Sequence, residues 1–199
     1  RSRSLRGGPS SLTVSRETFE RYAETLQTKG IERGLIGPAE APRIWERHIE
    51  NCIPLTTLFK EGRSVADVGS GAGLPGLVIA LSRPDLTVTL IEPLQRRVDF
   101  LNETVADLKL PTKVIRGKAE AVKTTFDYVT ARAVAPLDRL IASTWHLIKP
   151  GGSLLAMKGE SAQAEIDQTT LPKGAECKLH EVKIHDMPLS RIVEVVKVR

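Results

Sequence analysis

Cysteine and aromatic residues are scarce in this chain. Only Cys52 and Cys177 occur among its 199 residues, and they do not form a C-x-x-C pattern. Neither a disulfide framework nor a cysteine-rich zinc site is therefore indicated. Aromatic residues make up 4% of the chain, which argues against an extended platform for stacking single-stranded bases.

Long apolar runs are also missing. No run approaches the roughly 18 residues that are needed to span a bilayer. The N-terminal stretch RSRSLRGGPSS is basic and lacks the apolar segment of a signal peptide. We therefore expect a cytoplasmic protein, and the chain length favours one domain with an appendage over two full domains.

The charge balance is basic, with a net charge of +5 and a pI of about 9.4. A polyanion partner is therefore plausible, although a modest excess of Lys and Arg is common in proteins that never meet nucleic acid.

One cluster near the C-terminus has the residue types of a metal site. Cys177 and His180 are followed by His185 and Asp186. The segment CKLHEVKIH alternates like a strand, however, and a strand sends neighbouring side chains to opposite faces. We therefore expect no metal here, but solvated strand residues.

The chain divides at about residue 60. Residues 1–60 are predicted to form a tail and a helical cap, with one amphipathic helix over 15–29, where Ser15 is available as a cap, and a second helix starting near Pro42. Residues 61–199 alternate between strands and helices and form the main domain. Strands are predicted at 64–68, 86–91, 112–115, 126–130 and 153–157, and helices at 77–82, 93–109, 137–147 and 162–169.

This alternation predicts an α/β protein with a mostly parallel sheet and helices on both faces. The last two predicted strands, 175–184 and 192–198, follow each other directly and form a hairpin, which adds an antiparallel edge. A seven-stranded sheet with such a hairpin is typical of Rossmann-like class I S-adenosylmethionine-dependent methyltransferases. NAD-binding domains usually run all parallel.

The segment DVGSGAGLPG, residues 67–76, has the glycine spacing of a nucleotide-binding turn, which either NAD or S-adenosylmethionine could use. Glu92 ends the second strand, where a carboxylate can accept both ribose hydroxyls. Asp67 precedes the glycines, and an anion there suits a ligand with sulfonium and ammonium groups better than a pyrophosphate. An exposed strand-end acid and a turn-capping Asp are the structural alternatives.

Several segments together carry a family resemblance. DVGSGAGLPG, IEPLQRRVDFL, VIRGKAE, VTARAVAPL and LLAMKGE follow RIWERHIENC, over residues 43–160. This order resembles the bacterial RsmG (GidB) family of 16S ribosomal RNA guanine-N7 methyltransferases. The glycine segment is only moderately specific alone, but WERH and ARAVAPL make the combination highly specific. The resemblance implies S-adenosylmethionine as cofactor, 16S ribosomal RNA or the small ribosomal subunit as partner, and a link to the streptomycin response. We expect a monomer.

The resemblance also implies site residues. The expected cofactor site comprises Asp67, Gly69, Gly71, Gly73, Leu74, Glu92, Ala119, Glu120 and Arg132, with Ala119 and Glu120 as the pair that reads adenine. The expected catalytic residues are Arg132, Lys158, His48 and Arg47. A salt bridge is the structural alternative for Arg132, and a packed core position is the alternative for His48.

The chemistry of guanine N7 explains why no general base stands out. N7 carries an in-plane lone pair and no proton, so methyl transfer needs positioning rather than deprotonation. An Asn/Asp-Pro-Pro-aromatic motif for exocyclic amines is absent, and neither cysteine has the Pro-Cys setting of cytosine C5 methylation. The candidates for phosphate contacts are Arg16, Arg21, Lys29, Arg33, Arg43, Arg47, Arg96, Arg97 and Lys158.

Two other functions stay open at this point. A small-molecule methyltransferase on the same fold would need an apolar acceptor pocket in the cap. A non-catalytic RNA-binding or NAD-binding module is the third possibility.

Overall fold

A computed structural model describes residues 16–132 and 135–198 of the chain. The basic tail, the expected cap residue Ser15, and Ala133 and Val134 of the ARAVAPL segment lie outside the described residues.

The cap is helical, but only its first helix is regular. Helix α1 spans Arg16–Thr25 and continues as a π-helical turn over Leu26–Gly30. The expected second helix is instead broken into a 3₁₀ segment at Pro38–Arg43, a π-helical segment at Ile44–Ile49 and a 3₁₀ segment at Glu50–Leu58. Pro42 and Pro54 lie inside these segments and have no N–H to donate, so a continuous α-helical ladder cannot form.

The sheet confirms the predicted architecture. Its seven strands follow the order β3-β2-β1-β4-β5-β7-β6. The first five are mutually parallel, and β7 is antiparallel to both β5 and β6. The strands are β1 (Ser64–Val68), β2 (Thr87–Glu92), β3 (Lys113–Arg116), β4 (Phe126–Arg132), β5 (Ile148–Lys158), β6 (Ala175–Val182) and β7 (Ser190–Lys197).

Helices cover both faces of the sheet. They are α2 (Gly76–Ser82), α3 (Gln95–Asp107), α4 (Leu137–Thr144) and α5 (Ala162–Gln168). Alternate strand residues enter two separate cores, as Val65 and Ala66 of β1 do. The first core also contains the cap, α2 and α3, and the second contains α4 and the start of α5.

Strand β5 begins earlier than its sequence predicts. The Lys149-Pro-Gly-Gly152 stretch has the composition of a turn, but it lies within β5, where the pairing with β4 shifts register between Phe126 and Tyr128. A Cβ atom on Gly152 would clash with the carbonyl oxygen of Asp127. Only glycine therefore allows this close approach of the two strands.

The metal-like cluster is dispersed by the strand geometry. Cys177 packs against the second core, while His180 lies on the opposite face of β6, with its Nε2 atom 2.7 Å from Glu194 Oε2. Within residues 16–132 and 135–198, no group of three or more His, Cys, Asp or Glu side chains could hold a metal ion. The described helices also include none that is long and apolar enough to cross a membrane.

Candidate active site

The glycine turn joins β1 to α2 at the carboxyl edge of the sheet. Gly69, Gly71 and Gly73 have φ angles of 69°, 57° and 94°. Residues with a side chain rarely adopt this backbone region. Gly76 starts α2, and a Cβ atom there would clash with Leu90. Glycine is therefore required by the backbone conformation of the turn and by close packing at the start of α2.

Asp67 lies beneath the turn and is fully buried. Its Oδ2 atom accepts a hydrogen bond of 2.9 Å from the Gly76 N–H. Its Oδ1 atom is buried and has no partner among the described residues. Burial raises the pKa of the Asp67 carboxyl to about 7, against the opposing effect of the Gly76 hydrogen bond. A buried carboxylate oxygen without a partner fits a cationic ligand group.

Glu92 ends β2 on the other side of the turn. It is 1% exposed, which excludes the alternative of a solvated strand-end acid. Its Oε2 atom accepts a hydrogen bond of 3.0 Å from Gly71 N–H, and its Oε1 atom accepts one of 3.0 Å from Leu94 N–H. Arg97 Nη1 lies 3.8 Å from Oε2. These contacts fix the carboxylate while leaving lone pairs for ligand hydroxyls.

The Ala119–Glu120 pair lies in a single 3₁₀ turn, Ala119–Ala121, which follows β3. Ala119 is buried and Glu120 is exposed. His146 holds the turn, since its Nε2 atom lies 3.2 Å from the carbonyl oxygen of Ala119. The preceding Gly117 N–H donates to the Glu92 carbonyl at 3.1 Å, so the pair is anchored beside the end of β2.

Tyr22 of α1 reaches the glycine turn from the cap, which the sequence does not predict. Its ring is fully buried, and its hydroxyl donates a hydrogen bond of 2.9 Å to the carbonyl oxygen of Ala72. The sequence shows only a core position on an amphipathic helix, because nothing local indicates a contact 50 residues away.

Arg132 contacts His48 of the cap. Its Nη2 atom lies 2.8 Å from His48 Nδ1, and its Nη1 atom donates to the His48 carbonyl at 3.4 Å. A guanidinium can only donate, so Nδ1 accepts and the ring proton lies on Nε2. That proton faces Glu40 Oε2 at 3.2 Å. Burial, followed by the charge of Arg132, lowers the pKa of His48, which favours this neutral form.

Glu40 links His48 to a second cation. Its Oε1 atom accepts a hydrogen bond of 2.9 Å from Arg47 Nη1. The structure therefore joins Arg132, His48, Glu40 and Arg47 in one network between β4 and the cap. Glu40 was not predicted, because it lies in an irregular segment before the WERH motif.

Lys158 lies at the end of β5 but is not open to solvent. Its side chain is 7% exposed, and its ammonium lies 2.7 Å from the Ala135 carbonyl oxygen and 2.8 Å from Glu165 Oε2. Glu165 Oε2 also accepts a hydrogen bond from Leu137 N–H. In this arrangement Lys158 connects β5, α4 and α5, and contact with a phosphate would require breaking the ion pair.

Three of the other candidate cations contact helix α3. Lys29 and Arg33 form ion pairs with Glu103 of α3, and Arg21 donates to the Asp107 carbonyl at the end of that helix. Three of the predicted phosphate contacts are therefore engaged with α3.

The strand order, the antiparallel β7, the glycine turn and the two buried acids define a class I S-adenosylmethionine-dependent methyltransferase fold. Solved structures agree on the fold. A methyltransferase from Pyrococcus furiosus has a TM-score of 0.56 at 15% identity, covering 74% of this chain and 81% of that one. An rRNA methylase from Streptococcus thermophilus has a TM-score of 0.52 at 16% identity, covering 74% and 94%.

Within this class, the family model described as rRNA small subunit methyltransferase G (GidB) matches residues 15–191. The chain belongs to this family, as the sequence motifs predict. Its relatives include proteins with the name ribosomal RNA small subunit methyltransferase G. The Thermobifida fusca protein is 57% identical over 152 residues, covering 75% of this chain but only 64% of its own length. The Streptomyces coelicolor protein is 51% identical over 186 residues, covering 88% and 77%.

Proposed function

We propose that this protein transfers a methyl group from S-adenosylmethionine to N7 of a specific guanine in 16S ribosomal RNA, acting as a monomer in the cytoplasm. One observation carries the proposal: in a chain of this family, a buried carboxylate oxygen of Asp67 has no partner among the described residues directly beneath the glycine turn. A cationic ligand at the turn would supply that partner.

The described residues fit this cofactor. Asp67 would hold its ammonium group, Glu92 its ribose hydroxyls, and the backbone of Ala119 and Glu120 its adenine edge. Gly69, Gly71, Gly73 and Leu74 would line the methionine part. When bound, S-adenosylmethionine supplies a methyl group made electrophilic by its sulfonium.

The hydrogen bonds of His48 fit a methyl acceptor that does not have to be deprotonated. His48 uses its Nδ1 lone pair to accept from Arg132, so that atom is not free to take a proton from a substrate. Guanine N7 already presents a lone pair, and the protein must only orient it. Orientation of this kind can lower a barrier by roughly 7–11 kcal/mol in favourable cases. Arg132, His48 and Arg47 are therefore proposed to position the acceptor base and its phosphates.

The small-molecule alternative requires an apolar pocket in the cap, and the cap does contain a groove of about 650 Å³. Its lining consists of Arg16, Phe19, Trp45, Ile49, Glu50, Ile53 and Met187. None of these residues belongs to the glycine turn, to Glu92 or to the Arg132 network. The groove therefore does not favour a small-molecule acceptor over RNA.

The decisive experiment measures whether the protein transfers a labelled methyl group from S-adenosylmethionine to small-subunit ribosomal RNA. The RNA is supplied both free and in ribosomal particles, and the modified base is mapped. We expect label on N7 of one guanine. Donor binding without label on any RNA form would favour a small-molecule acceptor. Binding of NAD without binding of S-adenosylmethionine would overturn the proposal.

Replacement of Tyr22 by phenylalanine tests the support that the cap gives to the turn. The loss of the hydrogen bond to Ala72 should lower the free energy of unfolding by about 0.5–1.5 kcal/mol. Because the loosened turn forms part of the proposed S-adenosylmethionine site, the affinity for this cofactor should also fall. Urea denaturation and titration calorimetry measure the two effects.

Tyr128→Phe is the matched control, since among the described residues the Tyr128 hydroxyl accepts only from Lys60 N–H, at 3.3 Å and near the amino end of β1. That variant should keep the donor affinity of the wild type. Equal donor affinity in the Tyr22 variant would show that the cap does not support the turn.

A further inference from the structure

A cavity of about 240 Å³ lies beside Arg132, where β4 and β5 end and β7 begins. It is lined by Arg47, Asn51, Arg132, Met157, Lys158, Gly159, Leu189, Ser190 and Arg191. Asp67 and Glu92, the residues proposed to bind S-adenosylmethionine, lie at the carboxyl ends of β1 and β2, so the cavity lies on the neighbouring part of the same sheet edge.

The charge of the lining has one sign. Four of the nine lining residues are Arg or Lys, and none is Asp or Glu. Arg191 is half-buried, and its Nε atom pairs with Glu181 Oε1 at 2.9 Å. No hydrogen bond of its two terminal nitrogens is found within residues 16–132 and 135–198. Arg47, Lys158 and Arg191 each also have a carboxylate partner outside the lining. The attraction for an anion therefore comes from Arg132 and from the two terminal nitrogens of Arg191, whose guanidinium fork matches the oxygens of a phosphate.

The walls of the cavity can hold a flat apolar group. Met157 is 6% exposed at the end of β5, and Leu189 is 41% exposed just before β7. An unstacked nucleobase loses its neighbours in the helix, and apolar side chains can replace those contacts. Leu189 is one of the few large apolar side chains that the described residues leave exposed.

Asn51 adds an unused hydrogen-bond donor to the lining. The Ser190 hydroxyl lies 3.0 Å from the Asn51 carbonyl oxygen and 3.4 Å from its Oδ1 atom. Within the described part of the chain, the side-chain amide nitrogen has no acceptor. An amide donor suits the O6 atom of guanine, whereas adenine carries a donor at the same position.

We infer that this cavity is the acceptor-nucleotide subsite, and that it takes one unstacked guanine nucleotide of a single-stranded RNA segment. The base lies between Met157 and Leu189, Asn51 donates to its O6 atom, and Arg191 contacts an adjacent phosphate. The inference rests on the proposed function and assigns Asn51 and Arg191 to it. Neither residue touches the donor site.

The phosphate contact is tested by Arg191→Gln, which removes the charge and keeps hydrogen-bonding capacity. The KM for small-subunit particles should rise several-fold, while the affinity for S-adenosylmethionine stays unchanged. The slope of log affinity for RNA against log salt should become shallower by about 1, as expected for one lost phosphate contact. Arg63→Gln is the control, since Arg63 is also ion-paired but lies at the amino end of β1.

The base contact is tested by Asn51→Asp, which keeps the shape and replaces the donor by a carboxylate oxygen. The kcat/KM for RNA should fall about tenfold or more, the scale of one lost base-edge contact. Asn102→Asp, at an exposed position of α3, is the control and should match the wild type. Thermal unfolding of every variant checks that the fold is kept.

The outcomes separate the two claims. If the wild type methylates RNA and both variants match it in KM, kcat/KM and salt slope, the acceptor subsite is wrong and the proposed function stands. If the variants lose affinity for S-adenosylmethionine to the same extent as activity, the cavity belongs to the donor site and the inference is also overturned. If the wild type labels no RNA, the proposed function itself fails.

Discussion

Replacement of Asp67 by asparagine is expected to weaken binding of S-adenosylmethionine by at least about 30-fold, because loss of one partner of a buried charge pair costs at least about 2 kcal/mol. The substitution keeps the shape of the side chain and an oxygen that can accept from Gly76 N–H. It removes the negative charge that is proposed to pair with the ammonium group of the cofactor. Titration calorimetry measures the difference.

The pH dependence of donor binding follows from the same group. The pKa of Asp67 in the free protein is about 7, so the carboxyl is largely protonated below neutrality and must release its proton before it can pair with a cation. The affinity for S-adenosylmethionine should therefore fall as the pH is lowered through 7. Asp67→Asn should lack this dependence.

Asp85→Asn provides a comparison with a carboxyl group whose pKa is lowered instead of raised. The hydrogen bond from Arg83 lowers the pKa of Asp85 to about 2, and the pair lies away from the turn, between α2 and β2. This variant should bind the donor as the wild type does, with the same pH profile. A wild-type profile in the Asp67 variant would show that this carboxylate does not face the ligand.

Replacement of Arg132 by alanine is expected to lower methyl transfer to RNA at least about 100-fold, the scale of removing one preorganised donor. The change removes the partner of His48 Nδ1 and a cation from the cavity lining. The Arg132 charge also lowers the pKa of Asp67, so the midpoint of the donor-binding profile should move to higher pH. Single-turnover methylation and calorimetry measure the two effects.

Two further variants sharpen this test. Arg132→Lys keeps the charge, but one ammonium cannot replace the planar fork that contacts both His48 Nδ1 and the His48 carbonyl. It should therefore recover only part of the activity. Arg139→Ala, at an exposed position of α4, should have no effect. Wild-type turnover by Arg132→Ala would exclude a positioning role for this residue.

The sheet could be predicted because its strands are short buried runs separated by clear helical periods. The exceptions arise where local composition and tertiary contact disagree. The residues Pro150, Gly151 and Gly152 have the composition of a turn. The lack of a side chain at Gly152 nevertheless lets β5 approach the carbonyl oxygen of Asp127 in β4. In the cap, Ile44, Ile49 and Cys52 fit the hydrophobic pattern of a helix, but Pro54 has no N–H to continue its hydrogen bonds.

The candidate site was predictable only where topology alone places a residue. Asp67 and Glu92 end adjacent parallel strands, so their proximity to the turn follows from the strand order. The contact between Arg132 and His48 joins residues 84 positions apart, and no local pattern encodes it. The burial of Lys158 against Glu165 was likewise not predicted, because that pairing depends on how α5 docks beside β5.

The cap and one face of the sheet share a single hydrophobic core. Tyr22, Leu26 and Ile44 of the cap pack in the same cluster as Leu77 of α2 and Val65 of β1. Exchange of the cap for that of another methyltransferase would therefore disrupt the core beneath the glycine turn. We therefore expect a change of acceptor to come from single side-chain replacements at the rim of the cavity, such as Leu189, rather than from recombination of whole segments.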